Sequence, residues 1–146
     1  MQKIKLILPG SIRSKKNSRK AIIVGGKNMS RHAIMVPNDT YKKWEKQARS
    51  AIYRQLKNFN EPWEGPVRVK AVFYYNGNEP DLQGCFESIA DCLQGIVYKD
   101  DKQIVRWHGD SRKQYRKDKQ FTHVVIEKFK EHEAQQQGSL FRQKDH

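Results

Sequence analysis

The amino-acid sequence predicts a single small domain of the α/β (α+β) class, with about four to six strands and two main helices. Its 146 residues suit one compact domain. Two segments repeat apolar residues at spacings of three and four, as amphipathic helices do, and several short segments are apolar or alternate with a period of two, as strands do. We expect residues 1–128 to form the folded domain and residues 129–146 to form a flexible polar tail.

The strands are predicted from short apolar or alternating runs that end at turn residues. The first run stops at Pro9-Gly10, and Gly25-Gly26 can fold a second run back on a third as a hairpin. A later run alternates Val67 and Val69 with Arg68 and Lys70, which indicates a half-buried strand. The six predicted strands are residues 4–8, 21–24, 32–36, 67–73, 103–107 and 121–126.

Each predicted helix has one apolar stripe. Asn38 suits the N-cap of the first helix, and Gly95 suits the C-terminal end of the second. Cys85 and Cys92 lie two turns apart in the second helix, about 10 Å between Cα atoms, which is too far for a disulfide. They indicate core residues of a reduced, cytoplasmic protein. The stripes are Tyr41, Trp44, Ala48, Ala51, Ile52 and Leu56, and then Leu82, Cys85, Phe86, Ile89, Ala90 and Leu93.

The chain is strongly basic. Its 29 Lys and Arg residues exceed its 16 acids, which gives a formal charge of +13 and favours a polyanionic partner. No apolar run approaches the roughly 18 residues of a membrane span, and the N-terminus does not resemble a signal peptide. We therefore expect the partner to be nucleic acid and expect no membrane contact.

Two basic segments are candidates for binding phosphates. Residues 11–31 carry seven bases and no acid, and residues 111–119 carry five bases around one acid. Solvated loops are the ordinary explanation of such runs, but in a chain this basic we favour contacts with the DNA backbone. The candidate DNA-binding residues are Lys15, Lys16, Arg19, Lys20, Arg112, Lys113, Arg116 and Lys117.

Residues 78–101 form an acidic stretch within this basic chain. It holds six acids, Glu79, Asp81, Glu87, Asp91, Asp100 and Asp101, and one base, Lys99. Carboxylates held together usually coordinate a metal ion or share protons, and hard oxygen ligands suit Mg²⁺, with Mn²⁺ as a substitute. The alternative is that they are solvent-facing acids on an ordinary helix and turn. The pattern of a calcium-binding loop is absent.

The segment from Asp81 to Val105 resembles the RusA family of Holliday-junction resolvases. That family's pattern is D-L-D-N, a helix containing D-A-L, and D-D-x-Q-V; here Asp81-Leu82 is followed by the helix 89–95 and by Asp100-Asp101-Lys102-Gln103-Ile104. Leu8-Pro9-Gly10 and Ser14-Lys15-Lys16-Asn17 are similar to its opening strand and basic loop. The resemblance implies a mixed sheet, a homodimer, Mg²⁺ dependence, paired nicks across a four-way junction, and a bacterial or phage origin.

Carried over by motif position, the resemblance makes Asp81 and Asp101 catalytic metal ligands, with Asp100 beside them and Asp91 on the helix, and it adds Asn17 to the DNA-binding set. Two positions depart from the family pattern. Gln83 stands where the second aspartate of D-L-D-N is expected, and Glu87 stands where a helical lysine is expected. Because Glu87 lies one turn from Gln83, we favour the hypothesis that Glu87 supplies the missing catalytic carboxylate and metal ligand.

The alternative is a DNA-binding protein of the same fold that has lost a working metal site through these two substitutions. A general nuclease without junction preference is a third possibility.

The tail contains a second motif. Gln137-Gly138-Ser139-Leu140-Phe141 is similar to the Q-x-x-L-F pentapeptide that docks bacterial replication and repair proteins on the sliding clamp. Gln137, Leu140 and Phe141 are therefore candidate clamp-binding residues, although so short a pattern also arises by chance.

Overall fold

A computed structural model describes residues 2–14, 19–27, 30–37 and 39–129 of the chain. The elements in chain order are β1 (Lys3–Pro9), β2 (Arg19–Val24), β3 (His32–Pro37), α1 (Asp39–Gln55), β4 (Val67–Tyr75), α2 (Leu82–Leu93), a 3₁₀ turn (Asp101–Gln103), β5 (Ile104–Trp107), β6 (Arg112–Tyr115) and β7 (Phe121–Lys128). The predicted α+β class with two helices is confirmed.

Five strands form one mixed sheet. β7 pairs antiparallel with both β1 and β4, whereas β5 and β6 both run parallel to β4. β5 lies along the first half of β4 and β6 along its second half, so α2 serves as the crossover between parallel neighbours. The mixed sheet is confirmed, but β6 was not predicted as a strand.

Both helices pack on the same face of this sheet. Alternate residues of β1, β4 and β7 point toward them, as the burial of Leu6, Val69 and Val124 shows. Tyr41, Trp44 and Ile52 of α1 and Cys85, Ile89 and Leu93 of α2 complete this core. The predicted stripes of both helices are therefore confirmed, and in the described part of the chain no helix is long and apolar enough to cross a membrane.

β2 and β3 form a separate antiparallel hairpin. Its register pairs Arg19 with Pro37 and Val24 with His32, which confirms the predicted hairpin. Ile23 and Met35 are 75% and 61% exposed, so this small sheet leaves large apolar side chains in solvent. The predicted N-cap Asn38 lies outside the described residues.

The outer edge of β1 carries an unusual side-chain contact. The amide of Gln55, at the end of α1, accepts a hydrogen bond from the backbone N–H of Ile7 at 2.8 Å and donates one to the carbonyl oxygen of Ile7 at 2.6 Å. Gln55 thus satisfies both outward backbone groups of Ile7, as a neighbouring strand would do.

Candidate active site and nucleic-acid interface

The acidic stretch enters the fold at the N-terminus of α2. Asp81 is the N-cap: its carboxylate accepts a hydrogen bond from the backbone N–H of Gly84 at 3.0 Å. This contact satisfies a backbone donor at the positive end of the helix dipole. Gly84 leaves room for the neighbouring loop, because a Cβ there would lie 2.4 Å from Ser14 Oγ.

A hydrogen bond connects the loop after β1 to the same end of α2. Ser88 donates a hydrogen bond from its hydroxyl to the carbonyl oxygen of Arg13 at 2.7 Å, one turn along the helix from Gly84. A cavity of about 410 Å³ lies beside this contact. Its lining includes Arg13, Ser14, Asn76, Asn78, Asp81 and Gln120. The described start of the first basic segment, Arg13 and Ser14, therefore lies next to Asp81.

The second basic segment reaches this cavity from the other side. Lys113, on β6, lies 3.0 Å from the carboxylate of Glu79 and donates to the carbonyl oxygen of Pro80 at 3.3 Å. The hydrogen bond that Lys113 donates to Glu79 raises the pKa of Lys113, so its ammonium group stays charged. Asp81 is thus flanked by basic side chains from two distant parts of the chain.

A second cavity, of about 390 Å³, lies toward the other end of α2. Three carboxylates line it: Glu87 and Asp91 from the helix, and Asp101 from the 3₁₀ turn. Its apolar wall includes Phe86 and Trp107, whose rings stack with centroids 4.4 Å apart. This cavity joins acids that are fourteen residues apart in the sequence.

Asp101 is held in this cavity by its backbone. Its N–H donates to the side-chain oxygen of Gln94 at 3.0 Å, just beyond the end of α2. Partial burial and the nearby carboxylates of Asp100 and Asp91 raise the pKa of Asp101 above its ordinary value. A cation beside Asp101 would offset that repulsion.

Asp100 has a different environment. Its carboxylate accepts a hydrogen bond from the backbone N–H of Lys102 at 2.9 Å, and this contact lowers its pKa. Asp100 and Gln103 form a capping box at the start of the 3₁₀ turn, so the carboxylate of Asp100 stabilises the loop.

The side chain of Gln103 holds this loop in place through four hydrogen bonds, a structural role that was not predicted. Its side-chain oxygen accepts from the N–H groups of Lys99 and Asp100, both at 2.9 Å. Its side-chain nitrogen donates to the carbonyl oxygens of Trp63 and Gly65, at 2.8 and 2.9 Å. The spacing D-x-x-Q, an acid followed three residues later by a glutamine, is the sequence signal that identifies such a cap.

The structure does not bring all the predicted metal ligands together. Asp81 and Asp91 are ten residues apart along α2 and its N-cap, a rise of about 15 Å at 1.5 Å per residue, and they line different cavities. Within the described residues, no group of three or more His, Cys, Asp or Glu side chains is close enough to hold a metal ion. Glu87, Asp91 and Asp101 line one cavity, and carboxylate oxygens are the ligands that a hard divalent cation prefers, so their donor chemistry fits such an ion although their side chains are not close enough to hold one together in this structure.

The predicted DNA-binding residues that can be located lie on and after β6. Arg112 and Lys113 belong to the strand, and Arg116 follows it with its guanidinium over the rings of Tyr74 and Phe121, at 5.6 and 5.2 Å. Lys117 follows in an exposed turn. Lys15, Lys16, Asn17, Gln137, Leu140 and Phe141, and the side chains of Arg19 and Lys20, lie outside the described residues.

Comparison with known proteins identifies the family of this chain. The family model described as "Endodeoxyribonuclease RusA" matches residues 9–136, which cover both cavities and most of the chain. A search of curated proteins found no match.

Proposed function

The chain belongs to the RusA family of endodeoxyribonucleases, and on this premise we propose that it is a Mg²⁺-dependent nuclease that resolves Holliday junctions. It would act as a homodimer and make paired nicks in a four-way junction during DNA recombination and repair, in the cytoplasm of a bacterial or phage-infected cell. The observation that supports this proposal best is the cavity lined by Glu87, Asp91 and Asp101.

Glu87, Asp91 and Asp101 would hold the divalent cation, with their side chains moving closer together as it binds. When bound, such an ion activates a water and neutralises charge on the phosphodiester under attack. Glu87 is exposed and faces the same cavity as Asp91 and Asp101, which supports the hypothesis that it replaces the carboxylate missing at Gln83. The stacked Phe86 and Trp107 keep one wall of this cavity apolar, and Gln94 and Gln103 fix the backbone that carries Asp101.

Asp81 was predicted as a catalytic metal ligand together with Asp101 and Glu87, but it lines the other cavity, and we propose that it acts there. Its carboxylate already caps α2, so substitution by alanine would remove both the cap and the charge. Asp81→Asn separates the two roles, because asparagine caps a helix about as well as aspartate does. We expect this variant to lose cleavage while its melting temperature stays within about 2 °C of the wild type.

The decisive experiment is a nicking assay on a synthetic four-way junction, with and without Mg²⁺. Glu87→Gln and Asp101→Asn should each lower the cleavage rate by about 100-fold or more, because the loss of a residue that only supports a metal ligand already costs about 10- to 100-fold, while junction binding persists. Glu61→Gln is the matched control, because Glu61 is an exposed acid in the connection before β4. Full cleavage by Glu87→Gln would contradict the proposed role of Glu87.

The same assay tests the alternative of a DNA-binding protein without catalysis. Binding of the junction without any Mg²⁺-dependent nicking by the wild type would favour that alternative. Equal cleavage of linear duplex and junction would indicate a general nuclease.

A further inference from the structure

The face of the five-stranded sheet that points away from the helices carries an excess of positive charge. Strand residues alternate between the two faces, and the pairing register aligns them across neighbouring strands. We call this surface the open face. Its bases are Lys3 and Lys5 of β1, Arg68 and Lys70 of β4, Arg106 of β5 and Arg112 of β6.

Little negative charge balances these bases. Glu127, on β7, is the one acid that the described strands of this sheet place on the open face. It forms an ion pair with Lys3 at 3.4 Å and another with Arg68. Within the described residues, Lys5, Lys70 and Arg106 make no ion pair, and they remain available to an external anion.

The arrangement of these cations carries an energetic cost within the folded chain. Arg68 and Arg106 occupy paired positions on adjacent strands, where like charges destabilise a sheet, and the ion pair between Arg68 and Glu127 offsets only part of this repulsion. Lys5 on β1 and Lys70 on β4 both pair with Val125 of β7, which lies between these two strands. Their backbones are therefore two strand spacings apart, about 10 Å. A polyanion with regularly spaced charges would turn this repulsion into attraction.

A second copy of the chain is a poorer occupant of this surface. Packing two open faces against each other would bring cations of one copy against cations of the other. The exposed Ile23 and Met35 of the β2–β3 hairpin offer a better apolar surface for protein contacts. Charge complementarity therefore selects nucleic acid for the open face.

We propose that the open face binds the sugar–phosphate backbone of a duplex DNA arm, with Lys5, Lys70 and Arg106 as its principal phosphate contacts. The cavity lined by Glu87, Asp91 and Asp101 lies along α2, which packs on the opposite face of the sheet, and the other cavity lies at the N-cap of α2. The open face would thus hold a part of the substrate distant from the strand being cut. This inference rests on the proposed function, since it requires a DNA substrate with more than one arm.

The test is the salt dependence of junction binding, measured in EDTA so that cleavage plays no part. The triple variant Lys5→Ala, Lys70→Ala, Arg106→Ala removes three charges from the open face. The control Lys42→Ala, Lys43→Ala, Lys46→Ala removes three exposed charges from α1, on the helical side. Each lost phosphate contact should reduce the slope of log K against log salt by about 0.9, so we expect a reduction of about 2.7 for the first variant and less than about 1 for the control.

Protection from lysine acetylation gives a second measurement on the unaltered protein, and it does not depend on how the variants fold. DNA should protect Lys5 and Lys70 and leave Lys42, Lys43 and Lys46 reactive. Equal slopes for the two triple variants, together with unprotected Lys5 and Lys70, would overturn the inference while leaving the nuclease proposal intact. Absence of any DNA binding by the wild type would instead contradict the proposed function itself.

Discussion

Replacing Gln103 tests whether the loop that carries Asp101 is held by one side chain. Gln103→Ala removes four hydrogen bonds, two accepted from Lys99 and Asp100 and two donated to Trp63 and Gly65. A net hydrogen bond contributes about 0.5 to 1.5 kcal/mol, and solvent can replace three of these four because they are exposed. We therefore expect a loss of about 2 to 3 kcal/mol, or about 6 to 10 °C in melting temperature for a chain of this size.

Thermal unfolding followed by circular dichroism measures this change, with Gln47→Ala, at an exposed position of α1, as the control. Gln103→Glu separates the donors from the acceptors, because a carboxylate can still accept from Lys99 and Asp100 but cannot donate to Trp63 and Gly65. At neutral pH it should be no more stable than Gln103→Ala, because one carboxylate oxygen would face the carbonyl oxygens of Trp63 and Gly65, and this repulsion offsets the two bonds that are kept. A Gln103→Ala protein that melts within about 1 °C of the wild type would refute the fastening role.

Four further predictions concern other parts of the molecule. Gly84→Ala should lower stability by about 1 to 3 kcal/mol because its Cβ would meet Ser14, and Ser14→Gly should restore most of the loss in denaturant unfolding; a gain in stability from Gly84→Ala alone would contradict the packing. Partial burial alone would raise the pKa of Glu127, but the positive charges of Arg68 and Lys3 outweigh this effect and lower the pKa. The ion pairs of Glu127 therefore stabilise the folded protein above the pKa of the unfolded state, and this stabilisation is lost as the pH falls through the pKa of the folded state. Glu127→Gln should thus be less stable than wild type at neutral pH and equal to it in acid, as pH-dependent melting would show; a constant difference would exclude the linkage. Burial raises the pKa of Cys85 and Cys92 to about 12, so a thiol reagent at pH 8 should label them only after unfolding, and rapid labelling of the native protein would be the contrary result. Finally, the double variant Leu140→Ala, Phe141→Ala should abolish binding to a bacterial sliding clamp in a pull-down assay, and unchanged binding would rule out the tail motif.

Most of the fold could be predicted because its elements carry their own periodicity. The stripes of α1 and α2 and the alternation in β4 each follow from which residues are buried. β6 could not be predicted this way, because Arg112–Tyr115 contains no apolar alternation. It becomes a strand through its parallel pairing with the second half of β4, a contact between segments 40 residues apart.

The candidate site was predicted less completely, for a geometric reason. Six acids within 24 residues suggest one cluster, but α2 is a rigid spacer that holds Asp81 and Asp91 apart. Sequence also could not distinguish Asp100, which caps the 3₁₀ turn, from Asp101, which faces the cavity. The open face could not be predicted from the sequence either, because its cations come from four strands that are brought side by side only by the pairing register of the sheet.

The contact between Gln55 and Ile7 limits how this sheet can grow. An edge strand with free backbone groups is a template for adding a strand from another chain, through domain swapping or open-ended aggregation. At the outer edge of β1, Gln55 occupies both groups of Ile7, and Pro9 has no N–H to offer. In a dimer of this protein, the sheet is therefore not expected to continue from one subunit into the next across β1.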